Sequence, residues 1–258
     1  MKMFSTIIVS CVLWAFAGST AFADTLQNAR ISLDAGRYDL AVAQGTMLGS
    51  ADGLVLATEA LNAQLFLGLA ERKTKTAKRA MKLAEAALAL DPDTKDAQLQ
   101  YAIAYGFYGR HVSSFKAWRK NLPTKIRTAI DKSAIAAPDD YRAHALKGAW
   151  HLNLLYRAGG FDVEKRYGAN PIEGITHFET ALANNPDDII IGSTYIMLTY
   201  VLEPQARAAQ TEKWLKTKVL PASPKNATEQ QVQAQMRQVY EGFATNEALE
   251  RAEAFVNQ

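Results

Sequence analysis

The 258-residue chain is 48% hydrophobic and 21% charged, with a formal net charge of +3. That length and apolar content can bury a sizeable core in one domain or one elongated array. The near balance of 29 basic and 26 acidic residues argues against a nucleic-acid footprint, and one cysteine excludes a disulfide framework and zinc–sulfur chemistry.

The chain opens with Lys2, an uncharged apolar run IIVSCVLWAFAG (7–18), and AFA (21–23), which puts alanines where a signal peptidase needs small side chains. This reads as an export signal cleaved after Ala23, leaving a single domain over 24–258 in the periplasm. A retained anchor is the alternative, but the run falls short of the roughly 20 residues a spanning helix needs. Cys11 sits inside the run without a lipobox and leaves with it. The mature protein is expected to begin at Asp24. N-terminal sequencing of the envelope fraction checks this, and a chain still starting at Met1 would refute it.

From there one phrase is written three times: ALALDPDT (87–94), SAIAAPDD (133–140) and ALANNPDD (181–188). The prolines, Pro92, Pro138 and Pro186, stand 46 and 48 residues apart, a spacing that marks stacked supersecondary units. Proline cannot continue a helix, and the Asp that follows can cap the next one. Small or apolar residues recur at helical spacing before each proline: Ala80, Ala84 and Ala87, then Ile126, Ile130 and Ser133, then Gly174, Phe178 and Ala181. Within the predicted helices Gly68 and Gly148 each cost roughly 1 kcal/mol against Ala, so both call for a close helix crossing.

QLFLGLAERKTKTAKRAMKLAEAALALDP (64–92) resembles a tetratricopeptide (TPR) unit without insertion, and ARISLDAGRYDLAVAQG (29–45) resembles a degenerate first unit. A unit has about 34 residues, so the longer third and fourth spacings imply insertions. The resemblance implies an all-α solenoid of about four helix pairs, with units near 26–55, 61–94, 95–140 and 141–188 and a C-terminal cap over 189–258. KIRTAIDKSAIAAPDDYRAHALKGAWHL (125–152) further resembles the regulator of microtubule dynamics family. That likeness implies a TPR domain that contacts cytoskeleton, proteins or phospholipid, although an exported chain would not inherit a microtubule role.

Beyond 188, IIIGSTYIMLTYVL (189–202) is uncharged and too short to span a membrane, so a buried helix is expected. Thr228 and Gln231 read as a capping box before an amphipathic helix bearing Val232, Met236 and Val239.

No nucleophile elbow, phosphate loop or carboxylate pair is legible, so the reading is non-catalytic and cofactor-free. His144 and His151 lie seven apart, where a chelating helix wants four, so no metal site is expected. RKTKTAKRAMK (72–82) and KAWRKNLPTKIRTAIDK (116–132) each hold six basic residues. Both are read as solvated faces, with an anion-binding patch as the alternative.

The repeat register implied by the resemblance turns Arg142, Ala149 and Asn153, with Asp96, Ile103 and Phe107, toward a concave groove. Trp150, Leu154 and Arg157 share one helix side, and Phe161 and Tyr167 follow in an insertion over 156–171. The expected binding set is Arg142, Trp150, Asn153, Arg157 and Phe107. The function read from these is an adaptor for an unknown protein partner of the cell envelope. The alternative is a carrier for a lipid or other small apolar or anionic ligand. An adaptor calls for an open groove with polar rims, and a carrier for a covered cavity with apolar walls.

Overall fold

The structure, a computed structural model, describes residues 25–157 and 162–258. Its described residues are helical and contain no strand. In chain order, α1 spans 25–34, α2 Tyr38–Leu48, α3 Ala51–Phe66, α4 Lys73–Leu90, α5 Lys95–Arg110, α6 Ser114–Arg119 and α7 Leu122–Ala136. Then come α8 Tyr141–Tyr156, α9 Val163–Tyr167, α10 Pro171–Asn184, α11 Ile189–Leu202 and α12 Pro204–Trp214, which runs on into a π-helical turn, Leu215–Val219. The chain closes with α13 Ala227–Thr245 and α14 Ala248–Val256.

Helices pair as α3/α4, α5/α7 and α8/α10, α2 packs against α3 and is joined to α1 by a tight turn at Gly36, and the first helices α3, α5, α8 and α11 stack on one another. This is the all-α solenoid that the TPR resemblance implies. The Asp caps also form: Asp140 accepts from the Arg142 backbone N–H, and Asp188 from that of Ile191. Thr94, after Pro92, makes no such bond. The two implied insertions hold the short helices α6 and α9.

Gly148 and Gly174 let α8 and α10 approach closely. A Cβ on Gly148 would stand 2.6 Å from Phe178 Cδ2 and 2.8 Å from the Gly174 carbonyl oxygen, and one on Gly174 would stand 2.8 Å from Leu152. Gly68 has a different reason to be glycine. It sits just past α3 at φ +72°, where the Gly68 and Leu69 N–H groups bond back to Leu65 and Gln64. That is a left-handed helix stop, a conformation L side chains resist.

Other expectations need correction. α3 starts at Ala51, well ahead of the second unit read from 61, because Ser50 caps it through the Gly53 N–H. Its residues are buried nearly all round, so it lacks the one-sided pattern that would mark it. α8 ends at Tyr156, where the insertion read over 156–171 begins. α13 is capped by Asn226, which accepts from the Glu229 N–H, while the Glu229 carboxylate accepts from the Lys225 N–H. The box therefore lies two residues ahead of the Thr228–Gln231 reading. α11 is buried along most of its length, as its composition requires.

The last two helices do more than cap the final pair; they reach back to the first. Tyr38 Oη and Thr228 Oγ1 share a hydrogen bond of 3.0 Å, and Phe255 packs edge-on against Phe66 with ring centroids 5.5 Å apart. One core therefore runs from Ala29 to Val256. Among the described residues no helix is long and apolar enough to cross a membrane.

Candidate functional site

The stacked first helices line a cavity of about 740 Å3. Its walls are mostly apolar: Phe66 from α3, Ile103 and Phe107 from α5, Leu146 and Trp150 from α8, Ile190 and Ile191 from α11. α6 and α9 cover part of it through Ala117 and Trp118, and through Val163, Arg166 and Tyr167. Gly106 leaves a gap in the α5 wall, with no atom within 4 Å of where its Cβ would stand.

Four of the five expected binding residues, Phe107, Trp150, Asn153 and Arg157, line this cavity, as do Ile103 and Ala149. Arg142 does not. Its guanidinium donates to Asp96 at 2.6 Å and to Asp140 at 2.6 Å, an ion-pair cluster on the start of α8. Burial would raise the Asp140 carboxyl, but bonds from the Arg142 side chain and backbone hold it down at about 2. Trp150 is largely wall. It is 6% exposed, and its Nε1–H is spent on the Pro123 carbonyl at 2.9 Å. Phe161 lies outside the described residues.

The polar groups of the wall are sparse and underused. Asn153 Nδ2 donates to the Ala149 carbonyl, and Asn62 Nδ2 to Gln100, while the Oδ1 atoms of both are buried without a partner. A buried unpaired acceptor costs about 1–3 kcal/mol unless water or a ligand donor meets it. Glu59 pairs with Arg30 at 2.9 Å; burial still pushes its carboxyl up.

The C-terminal ends of α5 and α8 bring Arg110 and Arg157 together. Among the described residues neither meets a carboxylate. Arg110 stacks 4.7 Å over the Phe107 ring, and Arg157 donates to the Val256 carbonyl at 3.0 Å and to Asn257, its Nε buried and unbonded. Burial, and then the charge of Arg157, push the Arg110 guanidinium down to about 9, and burial also lowers Arg157. Arg110 is densely surrounded by protein yet keeps surface open to the cavity. A guanidinium keeps its proton, so two crowded cations with no counter-charge invite an anion. Arg166, 5.2 Å over Trp118, stands on the same rim.

The sequence reading missed Arg110 and Arg166. Arg110 ends an aromatic, glycine-rich helix, the one local hint of a cation set beside apolar wall. Arg166 lacks even that signal.

Three of the four histidines gather elsewhere, between α8 and α10. His144 Nδ1 and His177 Nδ1 lie 3.0 Å apart, so one ring donates and the other accepts, and His151 Nδ1 accepts from the Asn170 N–H. Burial, followed by the charges of Lys147, His144, His151 and Arg127, pushes His177 down to about 4. Its folded pKa lies below the unfolded value of about 6.5. The unfolded state therefore binds this proton more readily, and stability should fall as pH drops from about 6.5 to about 4. Chemical unfolding at stepped pH checks this; His177→Gln should flatten the slope in that window. No group of three or more potential metal ligands forms among the described residues.

Stacked helix pairs around a concave, ligand-sized cavity define a TPR-type scaffold. The model of the family "Regulator of microtubule dynamics protein 1-3" matches residues 58–244, more than half of the chain, and the chain belongs to that family. Among solved structures it is similar to TTC0263, a thermophilic TPR protein of Thermus thermophilus. The TM-score is 0.61 at 16% identity, over 84% of this chain and 99% of that one. PilF of Pseudomonas aeruginosa aligns over 92% of this chain and 89% of its own at 14% identity, with a TM-score of 0.49. No curated protein sequence matches.

Proposed function

We propose that this protein is a non-catalytic, exported binding scaffold whose cavity takes an elongated amphiphile with an anionic end. The observation that carries the reading is Arg110 beside Arg157: two cations that meet no carboxylate among the described residues, at one end of an apolar cavity. An apolar tail would run along Ile103, Leu146 and Ile190. A carboxylate or phosphate would meet the guanidinium groups, whose planar forks suit such anions. A volume of about 740 Å3 falls within the range typical of small-molecule sites.

Native mass spectrometry of the purified protein, followed by titration with a fluorescent long-chain fatty acid, tests this. One bound amphiphile per chain is expected. Changing both Arg110→Gln and Arg157→Gln should weaken capture by about tenfold or more, since bonds to charged groups contribute about 1.5–3 kcal/mol each. Unchanged affinity in the double variant would overturn the reading.

The adaptor reading keeps one specific support. α14 lays Ala248, Ala252, Phe255 and Val256 into the core beside the groove, so this surface already holds an amphipathic helix. A partner helix would have to displace it, which is the helix-in-groove mode of recognition. In that case a chain shortened before residue 248 would gain partner capture.

A further inference from the structure

The short helix α6 is built unlike the rest of the surface. Phe115 is 60% exposed and Trp118 44%, and their rings touch at 5.6 Å between centroids. Other large apolar side chains are as exposed, such as Met47, Ile135 and Ile172, but they sit on three separate second helices, α2, α7 and α10. Around the aromatic pair stand Lys116, Arg119 and Lys120, and no acidic residue occurs between Asp96 and Asp131. On the neighbouring α9, Asp162 and Glu164 are matched by Lys165 and Arg166. No salt bridge among the described residues neutralises Lys116, Arg119 or Lys120.

The geometry points to α6 as a membrane-docking rim: exposed rings and unpaired cations set on an anionic lipid surface at the mouth of the cavity. Aromatic rings favour the bilayer interface, where one part is apolar and the other wet. Clustered Lys and Arg are drawn to anionic headgroups within a Debye length. The helix is also continuous with the cavity, because Ser114, Ala117 and the rim's own Trp118 contribute to the wall. A docked rim would thus open the cavity toward the leaflet that stores an amphiphile. This inference builds on the amphiphile reading for its purpose, while its evidence is the rim alone.

Flotation of the full chain with two vesicle populations tests it, one of phosphatidylcholine and one with roughly a third phosphatidylglycerol. The readout is the excess of binding to the anionic vesicles, which leaves out any contribution common to both. The expected result is at least a tenfold excess, falling off with added salt. A triple variant, Phe115→Ser with Lys116→Glu and Arg119→Glu, should lose that excess. It should still capture the soluble fluorescent fatty acid within twofold of the original, because none of these three residues lines the cavity. An anionic excess that survives in the triple variant overturns the inference. So does the absence of any excess in the unaltered chain, which would leave the rim to a protein partner. If the excess appears and vanishes as expected while neither protein takes up the fatty acid, docking stands and the amphiphile reading falls.

Discussion

Replacing Gly148 with Leu should lower the melting temperature by roughly 6–12 °C, the largest stability effect expected of any single change here. The new Cβ would meet Phe178 at 2.6 Å and, more seriously, the Gly174 backbone oxygen at 2.8 Å. A ring could swing aside, but a carbonyl held in a helix ladder moves only if α10 moves. Overpacking of this kind costs typically 1–3 kcal/mol. A backbone clash at a close helix crossing belongs at the upper end, and in a chain of this size each kcal/mol is worth about 2–4 °C. Differential scanning calorimetry reads the shift directly. A Gly148→Leu protein melting with the parent would mean that α8 and α10 do not cross where the structure puts them.

That crossing is legible in the amino-acid sequence, since Gly148 stands inside a predicted helix at a cost of roughly 1 kcal/mol against Ala, which a close helix contact accounts for. Much of the solenoid is legible for the same kind of reason. Pro92, Pro138 and Pro186 end helices by removing a donor, and Asp140 and Asp188 start the next ones by accepting backbone N–H groups. What stays hidden is either featureless or distant. α3 is apolar on nearly every side, so no periodicity announces where it starts. Gly68 reads as a helix interior until its positive φ is seen.

The site is half legible. Phe107 and Asn153 follow from repeat register, and Trp150 and Arg157 from the helix side they share with Leu154; all four line the cavity. Arg142 follows the same register but is captured by Asp96 and Asp140, a pairing that spans two units. The return of α13 and α14 to the first pair rests on contacts such as Tyr38 with Thr228, 190 residues apart. No local pattern encodes a contact of that separation. The cation pair Arg110 and Arg157 likewise exists only because stacking sets the ends of α5 and α8 side by side.

The cavity gives the other large effect. Gly106→Leu should leave the fold intact or slightly more stable while reducing amphiphile capture by tenfold or more. Nothing lies within 4 Å of the position its Cβ would take, and the residue lines the cavity. Gly106 stands inside α5, where glycine costs about 0.8–1.0 kcal/mol against Ala. Any side chain there recovers part of that helix cost, and a leucine projects its isobutyl group into the space an apolar tail would use. Gly106→Ala separates the two contributions: it should raise the melting temperature with only a small loss of capture. Isothermal titration with the fatty acid, beside a thermal melt, measures both. Loss of fold in Gly106→Leu would show that the gap is smaller than the structure gives. Full capture by a well-folded Gly106→Leu protein would place the ligand elsewhere, because a filled wall and an undiminished tail cannot occupy the same volume.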